Sequence, residues 1–283
     1  MIDAAPDIDL VLQVMIFITG AHTVLNSLEH IATRDRFEED GILNWNVSKL
    51  YVRTANPLAP LFEPILRYPR FRLLLFARLL SGLALASAVA LAVAGRDALL
   101  WTIAPWLLLF VFFTTVCSCF RHQAGLSGDD HMSLVVTAGL FVATAFPDGS
   151  FAQLAAVVFI AVQVTLSYFI AGVHKLFSTT WRDGSALEGV MSTKTWGHSG
   201  LHALFQRYPR VNLLAAWTVI GFEVLFPLWI LTSPDVTVLF LAAAFAFHVG
   251  NAVFMGLNGF LVMFPAAYPA VYYISNGIDS LLV

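Results

Sequence analysis

The stretch FAQLAAVVFIAVQVTLSYFIAGVHKLF, residues 151–177, decides the fold class. Lys175 is its only Asp, Glu, Lys or Arg residue. The stretch is longer than the roughly 20 apolar residues that an α-helix needs to cross the hydrocarbon core of a bilayer. Lipid offers no hydrogen-bond partner to backbone amides, so such a stretch must bond internally, as a helix does. It therefore predicts a transmembrane helix.

The rest of the 283-residue chain repeats this pattern. Hydrophobic residues make up 59% and charged residues 12%, with a mean hydropathy of +0.79, whereas soluble domains are about 25% charged. We predict an all-α, polytopic transmembrane bundle of about eight spans that forms a single integral-membrane domain, 1–283, with no soluble domain. The predicted spans are 10–31, 71–94, 98–120, 131–146, 151–177, 211–231, 236–254 and 259–274.

Charge gives the expected partners and orientation. The bilayer is the first expected partner, and the formal net charge of −3 argues against nucleic acid. The acidic start MIDAAPDIDL does not resemble a cleavable signal peptide. Basic residues concentrate between the first two predicted spans, which predicts that this loop is cytoplasmic and that both termini lie outside, as in a bacterial plasma membrane. These residues are Arg34, Arg36, Lys49, Arg53, Arg67 and Arg70, with Arg72 at the start of the second predicted span.

Polar residues within predicted spans need a reason, because a charge at mid-bilayer costs about 2.5–3.5 kcal/mol on insertion scales. In the first span His22, Asn26 and Glu29 have helical spacing and share one face. Hydrogen bonding between helices is the favoured interpretation, and a metal site shared with a second helix is the less favoured one. Asp130 and His131 open the fourth predicted span; an aspartate there can cap the helix, but capping does not explain His131.

A second group of polar residues lies in the later spans. Lys175 ends the fifth span and either extends to the interface or, beside His174 in an apolar setting, acts as a neutral base. Glu223 is a carboxylate within the sixth span, and His248 and Asn251 share a face of the seventh. Polar groups in separate spans indicate one shared pocket, so we predict that Lys175, His131 and His248 face a common cavity.

Three segments resemble the membrane domain of vitamin K-dependent γ-carboxylase and its bacterial relatives, the HTTM family. They are YFIAGVHKL at 168–176 followed by Trp181 and Gly184, FHVGNAVFMG at 247–256 followed by Phe260, and Asp130-His131 followed by Leu134 and Leu140. The segments occur in the family's order and extend over about 127–273. His174 stands where the carboxylase has a first lysine, and Asp130 replaces its asparagine.

The resemblance implies an enzyme in which a reduced quinone and oxygen generate a strong base for deprotonation of a substrate carbon. Lys175 matches the lysine proposed to deprotonate vitamin K hydroquinone. Reduced vitamin K or menaquinol is the expected cofactor, with oxygen and carbon dioxide as co-substrates and no metal. The expected catalytic residues are Lys175, His131 and His248, and the expected cofactor-binding residues are Asn251, His174, Asp130 and Glu223.

Two alternatives stay open on the sequence. The family includes SdpB-like proteins linked to maturation or export of a small peptide, so a peptide or protein is a further expected partner. The chain could instead be a non-catalytic quinone- or lipid-binding membrane subunit. We expect no counterpart, within residues 1–283, of the large lumenal domain with which the carboxylase binds its protein substrate.

Overall fold

The computed structural model describes residues 7–38, 40–55, 59–121, 128–146 and 149–282. The described residues are 87% helical, and no strand occurs among them. The α-helices are α1 Ile8–Ala32, α2 Trp45–Ala55, α3 Ala59–Leu66, α4 Arg70–Val93, α5 Asp97–Arg121, α6 Gly128–Ala145, α7 Phe151–Phe177, α8 Thr179–Arg182, α9 Ser185–Ser192, α10 Ser199–Arg207, α11 Pro209–Leu225, α12 Pro234–Met255, α13 Asn258–Met263 and α14 Tyr268–Leu282.

Six helical segments of the described chain are long and apolar enough to cross a membrane, so the chain is an integral membrane protein with a helical bundle. They are α1, α4, α5, α7, α12 and the segment Pro209–Leu231, in which a 3-10 turn, Phe226–Leu231, continues α11. The predicted helical membrane bundle is confirmed at this level, whereas the count of about eight spans is not.

The predicted spans 131–146 and 259–274 are not among these six segments, and each has a physical reason. Helix α6 begins with the polar sequence Gly-Asp-Asp-His, which lowers its mean hydropathy. The predicted span 259–274 is divided into α13, a 3-10 turn at Pro265–Ala267 and α14. Pro265 has no amide hydrogen and its ring clashes with a preceding helical turn, which disfavours one continuous helix there.

The chain divides into two compact units, which we call the N-terminal unit (7–157 and 262–269) and the C-terminal unit (158–261 and 270–282). In the N-terminal unit, α1 and α4 approach closely at two glycines. A β-carbon on Gly20 would lie 2.9 Å from the carbonyl oxygen of Gly82, and one on Gly82 would lie 2.8 Å from that of Gly20. Small residues let membrane helices approach in this way.

The connection after α1 folds onto the ends of the N-terminal helices. A 3-10 turn, Arg34–Arg36, precedes α2 and α3. Side chains from this connection and from α4 and α5 form one apolar cluster, which consists of Phe37, Trp45, Leu66, Phe71, Leu75 and Cys117. The end of α1, the start of α4 and the end of α5 therefore lie at the same end of this unit.

Replacing Gly82 with Ala should destabilise the protein, because the new methyl group meets backbone atoms of α1 that cannot move aside independently. Gly250→Ala in α12 is the matched control, since nothing lies within 4 Å of a β-carbon there. Ala stabilises an unobstructed helix by up to about 1 kcal/mol relative to Gly. We expect a lower thermal unfolding midpoint in detergent for Gly82→Ala and an equal or higher one for Gly250→Ala. Equal midpoints for the two variants would contradict the close approach.

Candidate active site

An ion pair between Lys175 and Glu223 is the centre of the polar site in the C-terminal unit. The ammonium Nζ of Lys175 donates to both carboxylate oxygens of Glu223, at 2.8 and 2.6 Å. The Glu223 side chain is 4% exposed and that of Lys175 is 19% exposed. The pair joins the end of α7 to the middle of the Pro209–Leu231 segment, so two residues that the sequence assigned to one site are in direct contact.

Gly172 explains why α7 and α11 come close enough for this pair. A β-carbon at Gly172 would lie 2.7 Å from the backbone nitrogen of Val224 and 2.8 Å from the β-carbon of Glu223. Gly172 precedes Lys175 by about one helical turn, so both residues lie toward the same neighbouring helix. The glycine of the motif therefore sets the distance that the ion pair spans.

Trp181 covers the other side of the Lys175 ammonium group. Nζ lies 5.1 Å from the centroid of the Trp181 ring, within the range of a cation–π interaction. The turn that carries Trp181 is held to α11 by two hydrogen bonds, from Asn212 Nδ2 to the Gly184 carbonyl at 3.0 Å and from Trp217 Nε1 to the Arg182 carbonyl at 3.1 Å.

Two details of this turn follow from local chemistry. Gly184 has φ +85°, a left-handed conformation that glycine adopts without strain. The hydroxyl and amide of Ser185 both donate to Asp183, which holds the pKa of that exposed carboxyl below its usual value. The Trp-x-x-Gly spacing in the sequence therefore corresponds to one ordered turn.

A second polar pair lies about two helical turns earlier on α7. The hydroxyl of Tyr168 is hydrogen-bonded to Nε2 of His248 on α12, with 2.6 Å between the two atoms. Both residues are buried, and aromatic rings surround them: Phe222, Phe226 and Phe260. Lys175 follows Tyr168 by seven positions, which is roughly 10 Å along a helix axis and on the same face. The two pairs therefore follow one face of α7.

An apolar cleft of about 380 Å³ lies beside the same helix in the C-terminal unit. It is bounded by α7, by the 3-10 turn after α11 and by α14; its walls include Leu166, Phe169, Ile230 and Ile274. Trp229 Nε1 donates to Thr165 Oγ1 at 3.0 Å, so the polar groups of these two lining residues are hydrogen-bonded to each other. The cleft suits a hydrocarbon ligand.

The other predicted site residues have different surroundings. His174 is exposed, whereas Lys175 turns toward Glu223, because adjacent residues on a helix point in different directions. Asn251 is half-buried one turn after His248. Asp130 is half-buried and His131 is exposed on α6, in the N-terminal unit, so the predicted cavity shared by Lys175, His131 and His248 stays a prediction. Residue 127, at the start of the motif region, lies outside the described residues.

The N-terminal unit contains a buried polar group of its own. Arg78 on α4 is 1% exposed and donates to Asn26 Oδ1 at 2.6 Å and to Thr115 Oγ1 at 3.2 Å. This contact confirms that Asn26 hydrogen-bonds between helices, whereas Glu29 is exposed and does not share its buried face. His22 is fully buried, and its Nε2 lies 3.7 Å from a carboxylate oxygen of Asp129.

Several of these residues were missed by sequence reasoning. Arg78 is a charged residue well inside an apolar run, so the cost of intramembrane charge was the signal that could have found it. Asp129 could not be distinguished from Asp130, since the rotation of α6 decides which of them is buried. Among the described residues, no group of three or more His, Cys, Asp or Glu side chains is placed to hold a metal ion.

Comparison with known proteins gives no assignment. No family model, no curated protein and no solved structure matches this chain.

A double-mutant cycle on the ion pair should show strong coupling, and the two single substitutions should differ in their cost to stability. Lys175→Met leaves a buried carboxylate without a partner and should cost about 3 kcal/mol of unfolding free energy. Glu223→Gln should cost only about 1 kcal/mol, since the lysine can extend to the interface. The double variant should be more stable than the sum of the single losses predicts, as measured by denaturant unfolding in mixed micelles. The exposed Lys194→Met is the control and should change stability little. Additive single losses would show that the two groups do not stabilise each other.

Proposed function

We propose that this chain is a vitamin K-dependent carboxylase-like membrane enzyme in which the Lys175–Glu223 pair is the base that acts on a reduced quinone. The observation that carries the proposal is the ion pair itself. A lysine in the segment that resembles the carboxylase motif is bonded to a buried carboxylate within membrane-spanning helices. Ionisable residues inside a membrane are by default candidates for function.

The pair can hold its proton in two places. With the proton on Nζ it is an ammonium–carboxylate pair, and with the proton on Glu223 it is an amine beside a carboxylic acid. Low dielectric disfavours separated charges, so the second form becomes accessible in an apolar site. The neutral amine then accepts a proton from an acidic hydroxyl, and the new ammonium is stabilised by the Trp181 ring. Glu223 is therefore the residue that makes a lysine base possible here.

The surroundings of the pair fit a reduced vitamin K or menaquinol. The apolar cleft beside α7 would hold its hydrocarbon tail, and the Tyr168–His248 pair, with Asn251, would hold its hydroxyl groups. When bound, the quinol supplies, with oxygen, the strong base needed to remove a proton from a substrate carbon. Carbon dioxide as co-substrate, and roles for His131, Asp130 and His174, belong to the same proposal.

Lys175→Arg is the decisive substitution. Guanidinium keeps its proton at any usable pH, so this variant should lose turnover by at least about 100-fold, as should Lys175→Ala. The assay supplies purified protein with reduced vitamin K and oxygen and measures formation of the vitamin K epoxide. Lys194→Arg, a change at an exposed lysine after α9, is the matched control and should keep full activity.

The outcomes separate the three functions that the sequence left open. Full activity in Lys175→Arg would mean that Lys175 only extends to the interface. Quinol binding without epoxide formation would favour a non-catalytic quinone-binding subunit. Neither binding nor epoxide would leave SdpB-like peptide maturation or export, which a neighbouring gene for a small secreted peptide would support.

We further propose that the protein lies in a bacterial plasma membrane with both termini outside, and that α6 and the 258–282 region complete eight spans. The basic loop after α1 would then be cytoplasmic. A Lys49→Cys variant, made in a Cys117→Ala and Cys119→Ala background, should resist a membrane-impermeant thiol reagent in intact cells and react after lysis. Labelling in intact cells would reverse the orientation.

A further inference from the structure

The end of the N-terminal unit where α1, α4 and α5 meet the basic connection contains a buried cation. Arg121, the last residue of α5, is 1% exposed. Its guanidinium lies over the rings of Phe37 and Phe71, 5.5 and 5.1 Å from their centroids. Its Nη2 donates to the Phe37 carbonyl at 3.0 Å. Neither Nε nor Nη1 has a hydrogen-bond partner among the described residues.

No described carboxylate side chain balances the charge of Arg121. Among the residues whose side chains the structure describes, no carboxylate forms an ion pair with Arg121. The carboxyl end of α5 offsets about half of a unit charge. A buried, uncompensated guanidinium is costly, so an anion at this place would be strongly favoured.

A cavity of about 130 Å³ lies next to this cation and is lined by hydrogen-bond donors. Phe37, whose ring also contacts Arg121, forms one wall, and the others are formed by Asn44, Trp45, Asn46, Arg67 and Tyr68. Trp45 is 5% exposed. Its indole Nε1 and the hydroxyl of Tyr68 are buried and have no hydrogen-bond partner among the described residues.

Further basic side chains lie near this cavity. A second, smaller cavity shares the Phe37 and Tyr68 walls and is lined by Arg34 and Arg72. Arg67 is held by Glu63 at 2.8 Å but remains 58% exposed at the rim. The end of α1, the start of α4 and the end of α5 meet here, and basic pockets at the ends of membrane helices bind lipid phosphates.

We propose that this cavity, between Trp45, Tyr68 and the Phe37 ring that covers Arg121, binds the phosphate group of an anionic ligand. Trp45 and Tyr68 donate to phosphate oxygens, and Arg121 supplies the balancing charge behind Phe37. The volume corresponds to about four water molecules, enough for one phosphate group but not for a large headgroup. The phosphate belongs either to a phospholipid or to a soluble phosphate. This inference does not depend on the proposed enzymatic function.

Calorimetric titration of the delipidated full chain in an uncharged detergent tests the proposal. The ligands are dioctanoyl phosphatidylglycerol, inorganic phosphate and dioctanoylglycerol, which has the same tails without phosphate. We expect saturable binding of at least one phosphate compound, at one site per chain, and none of dioctanoylglycerol. Competition by inorganic phosphate identifies a soluble source, and binding of the lipid alone identifies a headgroup.

Variants that remove one donor and keep the ring decide whether this cavity is the site. Trp45→Phe and Tyr68→Phe should each weaken binding by about tenfold, the expected loss of one hydrogen bond to a charged group. Trp106→Phe and Tyr208→Phe, at exposed positions, are the matched controls and should bind as the parent does. Unchanged thermal unfolding midpoints show that the variants are folded. The proposal is overturned if neither phosphate compound binds saturably, or if both Trp45→Phe and Tyr68→Phe bind as tightly as the parent, and the cavity then holds water only.

Discussion

Charged groups inside hydrocarbon need hydrogen-bonding or ionic partners, and this constraint accounts for much of the architecture within each unit. In the C-terminal unit, Lys175 and Glu223 hold α7 against α11, and Gly172 removes the side chain that would keep the helices apart. In the N-terminal unit, Arg78 links α4 to α1 and α5 through Asn26 and Thr115, next to the close approach of Gly20 and Gly82. Both units therefore combine a small-residue contact with a polar link, and each feature depends on the other. A polar link requires closely spaced helices, and closely spaced helices in lipid gain specificity from a polar link.

The proposed chemistry follows from how the C-terminal pair is surrounded. A lysine alone at the end of a membrane helix would extend to the interface and stay protonated. Bonded to a buried carboxylate and covered by Trp181, it has a nearby group that can take its proton without leaving a net charge in a dry site. The Tyr168–His248 pair and the apolar cleft beside the same helix add hydrogen-bonding groups and space for a hydrocarbon tail.

The sequence predicted the helices more reliably than it predicted which side chains contact each other. Six spans follow from length and hydropathy alone, since the bilayer imposes both. The region 258–282 was harder, because its composition is apolar although Pro265 interrupts the helix. Sequence spacing grouped Lys175 with Glu223 in one pocket, but it could not show that they touch, nor that His174 faces away. Those facts depend on helix rotation and on contacts between residues 48 positions apart. Arg121 directly follows the predicted span 98–120, and only the fold shows that it is buried under Phe37 and Phe71.

The separation of 48 positions between Lys175 and Glu223 also has a consequence for biogenesis. Helix α7 is synthesised and enters the membrane well before α11. Until α11 follows, Lys175 lies at the end of its helix, where it can reach water. Glu223 enters later and lies farther inside its span, where an isolated carboxylate is poorly tolerated. Docking of the newly made α11 onto α7 relieves that penalty. The ion pair therefore favours the native contact between α7 and α11 during assembly. A chain in which this docking fails would keep an unpaired acidic group in the bilayer, a feature by which membrane quality-control proteases could distinguish misassembled copies from native ones.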